Sequence, residues 1–213
     1  GPYALSSAMS ARSGSGKTTL RTRLITEARK DEAFKDTRFI YVSVKAEHLF
    51  KSQGKKDKIK PVSTVWDAVK NMRKHQVTVF YPSDPLHYEE DVDALIDSVF
   101  NLSDAIIDDA NVLKGFDNRG NPSPQVKKLA IAGRSKRIRG LFITHRLGNL
   151  PRIMNGNLSG LILMSMPSMD SEYARKVFGV DFEPILPELH SFRWAVVDLI
   201  KEKTHTFNPI KPV

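Results

Sequence analysis

Eight residues near the start of the chain have the types and spacing of a loop that binds phosphate groups. Residues 11–18 read ARSGSGKT, which matches the pattern G-x-x-x-x-G-K-[ST] at every position except the first. Glycines let the backbone turn its N–H groups inward around an anion, and the helix that follows adds the positive end of its dipole. We therefore predict a nucleoside triphosphate site formed by Arg12, Ser13, Gly14, Ser15, Gly16, Lys17, Thr18 and Thr19.

Two side chains of this loop have separate chemical tasks. Lys17 is expected to reach the β- and γ-phosphates of ATP, and the Thr18 hydroxyl is expected to ligate Mg²⁺. Ala11 stands where the pattern has its first glycine. Because that position begins the loop and does not supply the main phosphate contacts, we expect alanine to be tolerated.

A pair of carboxylates closes an apolar segment further along the chain. Residues 105–109 read AIIDD, which predicts a buried strand that ends in acids and lies beside the phosphate loop. Asp108 is expected to hold Mg²⁺ together with Thr18, and Asp109 to polarise the attacking water. The alternative is that the two acids only cap the strand end or the next turn.

Basic and polar residues surround the next predicted strand, residues 140–144. Arg134, Arg137 and Arg139 precede it, and an arginine there can reach the γ-phosphate of a neighbouring subunit, with Arg134 favoured. His145 follows the strand and is expected to sense the γ-phosphate, because ligands bind at the carboxyl ends of parallel strands. The alternatives are a solvated basic helix end and an ordinary histidine at a strand end.

The pattern of short apolar runs and amphipathic stretches predicts the elements that position these residues. It indicates an α/β fold with a mostly parallel sheet. Strands are predicted at 3–11, 38–44, 77–81, 105–109, 140–144 and 160–164, and a terminal hairpin at 192–200 and 204–209. Helices are predicted at 18–30, 64–74, 88–101, 123–137 and 171–178.

Composition narrows the class of protein. The 213 residues suit one domain, here residues 1–213, with Gly1-Pro2 typical of a protease scar. The absence of cysteine rules out disulfides and thiolate metal sites. No apolar run approaches the roughly 20 residues that span a bilayer, and the net charge of +9 favours an anionic partner.

The order of these parts resembles the FtsK–HerA superfamily of ring-forming DNA translocases, and within it the genome-packaging ATPases of double-jelly-roll capsid viruses. The likeness rests on the phosphate loop, the acid pair, a helix leading to Ala132-Gly133-Arg134, and a strand ending before His145 and Arg146. It implies a three-layer P-loop NTPase of RecA/ASCE type with a C-terminal β-hairpin. Where the family usually has glutamine, this chain has His145.

The resemblance also implies partners. A translocase needs sequence-neutral contacts with the phosphates of double-stranded DNA. The resemblance further implies a homo-oligomeric ring, a pentamer or hexamer, and docking to capsid vertex or viral membrane proteins. Candidate DNA contacts are Lys51, Lys55, Lys56, Lys58, Lys60, Lys114, Arg119, Lys127, Lys128 and Arg152. Each of them is equally compatible with an ordinary solvated surface charge.

We therefore predict an ATP-hydrolysing DNA translocase that packages a viral genome, found in the host cytoplasm or associated with the virion. Two other classes remain open. A nucleoside or small-molecule kinase also begins with such a loop, but no arginine-rich lid is recognisable. A phage-assembly NTPase that does not translocate DNA would usually carry a membrane span.

Overall fold

The computed structural model describes residues 6–42, 61–82, 84, 88–100, 105–108, 122–190 and 192–209. The strands are β1 (Ser6–Ser10), β2 (Arg38–Val42), β3 (Val77–Phe80), β4 (Ala105–Asp108), β5 (Arg139–Thr144), β6 (Leu158–Leu163), β7 (Trp194–Asp198) and β8 (Lys203–Phe207). The α-helices are α1 (Lys17–Ala28), α2 (Val65–Lys74), α3 (Tyr88–Val99), α4 (Pro124–Ala132), α5 (Arg152–Asn155) and α6 (Ser168–Phe178).

The strands form one eight-stranded sheet in the order β3-β2-β4-β5-β1-β6-β7-β8. The pairs from β3 to β6 are parallel, whereas β7 and β8 are antiparallel to their neighbours. Helices connect the parallel strands, as the crossovers of a parallel sheet require. The predicted α/β class, the mostly parallel sheet and the C-terminal hairpin are confirmed.

The side chains of successive strand residues point to opposite faces of the sheet and enter different cores. Ala8, Phe142 and Leu161 belong to the large core that includes buried residues of α2, α3 and α4. Their chain neighbours Met9 and Ile143 pack with Leu20 of α1 on the other face. The result is a three-layer arrangement with α1 on one face of the sheet.

The strand that ends in Asp108 does not lie next to the strand that carries the phosphate loop, contrary to the sequence-based expectation. β5 pairs with both of them and separates β4 from β1. Although β2 follows β1 along the chain, β4 and β5 lie between them in the sheet. β4 and β1 are therefore two strand spacings apart, about 10 Å.

The predicted helix at 123–137 ends earlier than its sequence suggests. Ser123 caps α4 by accepting a hydrogen bond from the Val126 N–H, and Pro124 occupies the first turn. The α-helix ends at Ala132 and continues as a 3₁₀ turn, Gly133–Lys136. Ile138 N–H donates to the Gly133 carbonyl over 2.8 Å, and a Cβ at Gly133 would lie 2.7 Å from the Ile138 carbonyl oxygen. A helix continued to 137 would prevent this tight entry into β5.

Other boundaries shift by a few residues. α6 begins at Ser168, three residues before the predicted start, and β5 begins at Arg139, which was expected to precede the strand. α5 was not predicted, because its four residues are too few to show a helical period. None of the helices in the described part of the chain combines the length and the apolar character needed to cross a membrane.

Candidate nucleotide site

The phosphate loop leaves the carboxyl end of β1 and turns sharply into α1. Gly14 and Gly16 adopt left-handed backbone conformations, with φ of 74° and 86°, which glycine accepts without steric cost. Both the N–H and the hydroxyl of Ser15 donate to the Arg12 carbonyl, which closes the turn. Gly16 is the N-cap of α1 and has no side chain to bind the first N–H groups of the helix. Those groups and the helix dipole can therefore act on a bound anion.

Ala11 fits the loop without strain. Its side chain is fully buried among Met9, Leu20 and Met164, and it is not among the described non-glycine residues with a positive φ. Its N–H donates to the Thr144 carbonyl over 3.2 Å. The position requires a small side chain and ordinary backbone, so alanine satisfies it.

Lys17 and His145 meet at the mouth of the loop. The Lys17 ammonium donates to the carbonyls of Ala11 and Arg12 over 2.7 and 2.8 Å. It also lies 3.3 Å from Nδ1 of His145. Because an ammonium group has only donors, a hydrogen bond between the two side chains uses Nδ1 as the acceptor. The structure thus brings the candidate sensor to the lysine of the phosphate loop, although the two residues are 128 positions apart.

The two residues expected to ligate Mg²⁺ lie at different levels along the sheet, since Asp108 pairs with Leu141, three residues before β5 ends at Thr144. Thr18 is in the first turn of α1, and Asp108 is the last residue of β4. A hydroxyl and a carboxylate are the hard ligands that Mg²⁺ prefers, so Thr18 and Asp108 are the residues of this chain that would hold the ion. Asp109, the predicted partner of the attacking water, lies outside the described residues.

The candidate arginines lie far from the phosphate loop of their own chain. Arg134 is in the 3₁₀ turn before β5, and Arg137 follows it with a φ of 56°. Both precede a strand whose other end carries His145. The six residues of β5 put roughly 17 Å between the two edges of the sheet. Within one chain, these arginines therefore do not join the nucleotide site.

The predicted DNA contacts that the structure describes differ in their environments. Lys128 contacts residues of its own chain, since its ammonium lies 2.6 Å from Asp97 and 4.6 Å from the centre of the Phe100 ring. Lys127 and Arg152 instead line a cavity of about 740 Å³ together with Arg146. Lys51, Lys55, Lys56, Lys58, Lys60, Lys114 and Arg119 lie outside the described residues.

A buried carboxylate beside this cavity was missed from the sequence. Asp170 is only 1% exposed, and its Oδ1 lies 3.8 Å from Nε of Arg146. Its other oxygen has no hydrogen-bond partner among the described residues. Burial raises the pKa of Asp170, against the charge of Arg146, the N–H groups of Leu147 and Gly148, and the charge of Arg12. The sequence feature that could have indicated its burial is its position four residues, about one helical turn, before Ala174, which is also buried.

Replacing Asp170 by asparagine should change stability in a pH-dependent way. A carboxyl with a raised pKa favours the folded state only while it is protonated, so this contribution is lost as pH rises through the folded pKa. The melting temperature of Asp170→Asn minus that of the wild type should increase between pH 4 and pH 8, by about 2–4 °C for each kcal/mol. Thermal unfolding across that range measures the difference.

Asp198→Asn is the matched control for this measurement. The N–H of Lys201 is the main cause that lowers the pKa of Asp198, and this outweighs burial. Asp198 stabilises the folded state fully at pH values above the ordinary pKa of an aspartate. This stabilisation is lost only as the pH falls through the lowered pKa of the folded state. The melting temperature of Asp198→Asn minus that of the wild type should therefore not increase with pH above about 5. A flat profile for Asp170→Asn would contradict the environment described for that residue.

Comparison with known proteins gives the fold an independent reference. No protein-family model and no curated protein sequence matches the chain. Among solved structures, the DNA-packaging ATPase B204 of Sulfolobus turreted icosahedral virus has a TM-score of 0.72 and 18% identity over 98% of this chain and 99% of that one. B204 of Sulfolobus turreted icosahedral virus 2 in complex with AMPPCP reaches 0.76 at 16% identity, covering 97% and 98%.

A more distant likeness extends beyond viruses. VirB4 of Thermoanaerobacter pseudethanolicus has a TM-score of 0.63 and 8% identity, covering 97% of this chain and 89% of that one. The predicted resemblance is confirmed at the level of the fold. The chain has the P-loop ATPase fold of the viral DNA-packaging protein B204 over nearly its whole length.

Proposed function

We propose that the chain is an ATP-hydrolysing translocase of double-stranded DNA that packages a viral genome as a homo-oligomeric ring of five or six copies. The observation that carries the proposal is the contact between Lys17 and His145 at the mouth of the phosphate loop. The contact brings Lys17, the cation proposed to bind phosphate, to His145, which follows β5, the strand next to β1. The fold shared with B204, a DNA-packaging ATPase, supports the proposal that this chain is an ATPase that packages DNA.

Hydrolysis needs Mg²⁺ and a positioned water in addition to a phosphate loop. Thr18 and Asp108 would hold the metal, which supplies positive charge against the phosphate oxygens when it is bound. Asp109 would orient the attacking water as the acceptor of its proton. His145 would contact the γ-phosphate from the side of β5, in place of its present contact with Lys17.

A ring is proposed because the arginines lie at the far edge of the sheet. Arg134, with Arg137 as the second candidate, cannot reach the phosphate loop of the same chain across the length of β5. In a ring that sets this edge against the next subunit's nucleotide, either residue would stabilise the charge that develops on the transferred phosphoryl group.

Sequence-neutral binding of DNA requires cations directed at backbone phosphates. The cavity lined by Lys127, Arg146 and Arg152 has this character, and the chain as a whole carries a net charge of +9. The buried carboxylate of Asp170, 3.8 Å from Nε of Arg146, would hold the Arg146 guanidinium in place. Capsid vertex or viral membrane proteins are proposed as further partners, and the host cytoplasm or the virion as the location.

Stimulation of ATP hydrolysis by duplex DNA tests the proposal. We expect phosphate release to rise when long duplex DNA of arbitrary sequence is added, and the rise to diminish steeply between about 50 and 200 mM salt, because phosphate contacts release counterions. Lys17→Ala should release no phosphate with or without DNA, which excludes a contaminating ATPase.

Two other outcomes would favour the alternative classes. A phosphorylated small molecule formed without DNA would indicate a kinase. Nucleotide binding without turnover, in the presence of DNA and Mg²⁺, would indicate an assembly factor. Turnover that is unaffected by duplex DNA at low salt would contradict the translocase proposal.

A further inference from the structure

An apolar cavity adjoins the phosphate loop on the side of the C-terminal hairpin. Its volume is about 280 Å³, and its lining residues are Gly16, Thr19, Leu20, Met164, Phe192, Trp194 and Pro209. Gly16 and Thr19 also belong to the predicted phosphate site, so the cavity adjoins that site. We call this cavity the aromatic slot.

Trp194 forms a rigid wall of the aromatic slot. Its side chain stacks on Phe207 of β8, with ring centres 4.3 Å apart and an interplanar angle of 16°. Its indole N–H donates to the Asn208 carbonyl over 3.1 Å. One face and the polar edge of the indole are thus engaged by the hairpin, and the ring is fixed where it meets the cavity.

Phe192 is a second aromatic residue that lines the slot, and it is exposed. It is 59% exposed and has a φ of 64°, a conformation that is unfavourable for a bulky side chain. Its Cδ1 would lie 3.3 Å from a Cβ at Gly16. An exposed phenylalanine held against the phosphate loop in a strained backbone conformation is typical of a residue that serves a binding site.

We propose that the aromatic slot binds the nucleobase of the nucleotide whose phosphates occupy the loop. The inference rests on the proposed nucleotide site and adds the part of the ligand that the loop itself does not recognise. A planar base fits between aromatic and apolar side chains because every base presents a π-face. Met164 adds a polarisable contact, and the slot begins at Gly16, where the phosphate loop ends.

Fluorescence of Trp194 tests the location of the base directly. The chain has two tryptophans, and the other, Trp66, is 76% exposed on α2. In a Trp66→Phe variant, ATP should change the emission of Trp194. Inorganic tripolyphosphate, which has no base, should compete with ATP yet leave the emission unchanged. An equal change with both ligands would overturn the proposal.

Variants at Phe192 test its contribution to binding. Phe192→Ala should raise the Kd for ATP by about tenfold, the scale of a lost stacking contact, and leave the Kd for tripolyphosphate unchanged. Phe192→Tyr should restore ATP affinity, which a general loosening of the loop would not allow. Ile200→Ala is the control, since Ile200 has a similar exposure of 62% and does not line the slot.

The two proposals fail in distinguishable ways. If neither ATP nor tripolyphosphate binds the wild-type chain, the nucleotide site itself is wrong. If both bind and Phe192→Ala leaves the ATP Kd unchanged, the phosphate site stands and the base lies elsewhere.

Discussion

Lys17→Ala is expected to abolish nucleotide binding at ordinary working concentrations. The ammonium group would donate charge-assisted hydrogen bonds to the β- and γ-phosphates, and alanine removes both the charge and the donors. Loss of such contacts costs about 3 kcal/mol, which corresponds to roughly a 100-fold increase in the Kd for ATP. Isothermal titration with a non-hydrolysable ATP analogue and Mg²⁺ measures this change.

The structure explains why this substitution should leave the fold intact. In the absence of nucleotide the ammonium donates to the carbonyls of Ala11 and Arg12 at the mouth of the loop. Water can replace the ammonium at the carbonyl of the exposed Arg12, and the lost donor at the carbonyl of the buried Ala11 costs about 1–3 kcal/mol, less than the stability of a typical domain. Arg23→Ala is the matched control, because it removes one positive charge from α1, where Arg23 forms an exposed ion pair with Glu27. ATP affinity in Lys17→Ala equal to that of Arg23→Ala would overturn the site assignment.

Arg134→Ala is expected to spare nucleotide binding and to remove turnover. An arginine supplied in trans to a phosphoryl-transfer site accounts for about a 10³- to 10⁵-fold increase in rate. Since Arg134 lies in the turn before β5, at the opposite edge of the sheet from its own phosphate loop, its loss should not change the ATP Kd of the same chain. Single-turnover hydrolysis and equilibrium binding separate the two effects.

Mixing two inactive chains tests whether Arg134 acts on a neighbour. Lys17→Ala retains its arginine and Arg134→Ala retains its phosphate loop, so a ring containing both variants has some complete sites. Activity should return on mixing, in proportion to the junctions that combine an intact loop with an intact arginine. Different affinity tags on the two variants verify that mixed rings form. Mixed rings without activity would contradict the trans assignment, and Arg137→Ala mixed in the same way would then test the second candidate.

The parts of the site that could be predicted from the sequence are those that depend on neighbouring residues. The phosphate loop is contiguous, and its glycines adopt the left-handed conformations that the pattern requires. His145 was predicted because a polar residue after an apolar strand must lie at the carboxyl edge of the sheet. Its contact with Lys17 follows from the direct pairing of β1 and β5.

The parts that could not be predicted depend on long-range order. Nothing local in the segment at 105–108 states that β5 will separate it from β1, because strand order is decided by how later strands fill the space beside β1. Asp170 lies one residue before the predicted helix at 171–178, and the sequence does not show that the packing of α6 buries it. Phe192 and Trp194 lie more than 170 positions after Gly16, and only the return of the hairpin brings them to the loop.

The central position of β5 has a mechanical consequence for a ring. Hydrogen bonds to β1 and β4 hold it on both sides, so it cannot slide without them. Its carboxyl end leads to His145 beside Lys17 of the phosphate loop, and its amino end follows the turn that carries Arg134. If that arginine acts on the nucleotide of the next subunit, β5 directly connects two consecutive nucleotide sites. A displacement of β5 at the first site would then also displace the arginine at the second.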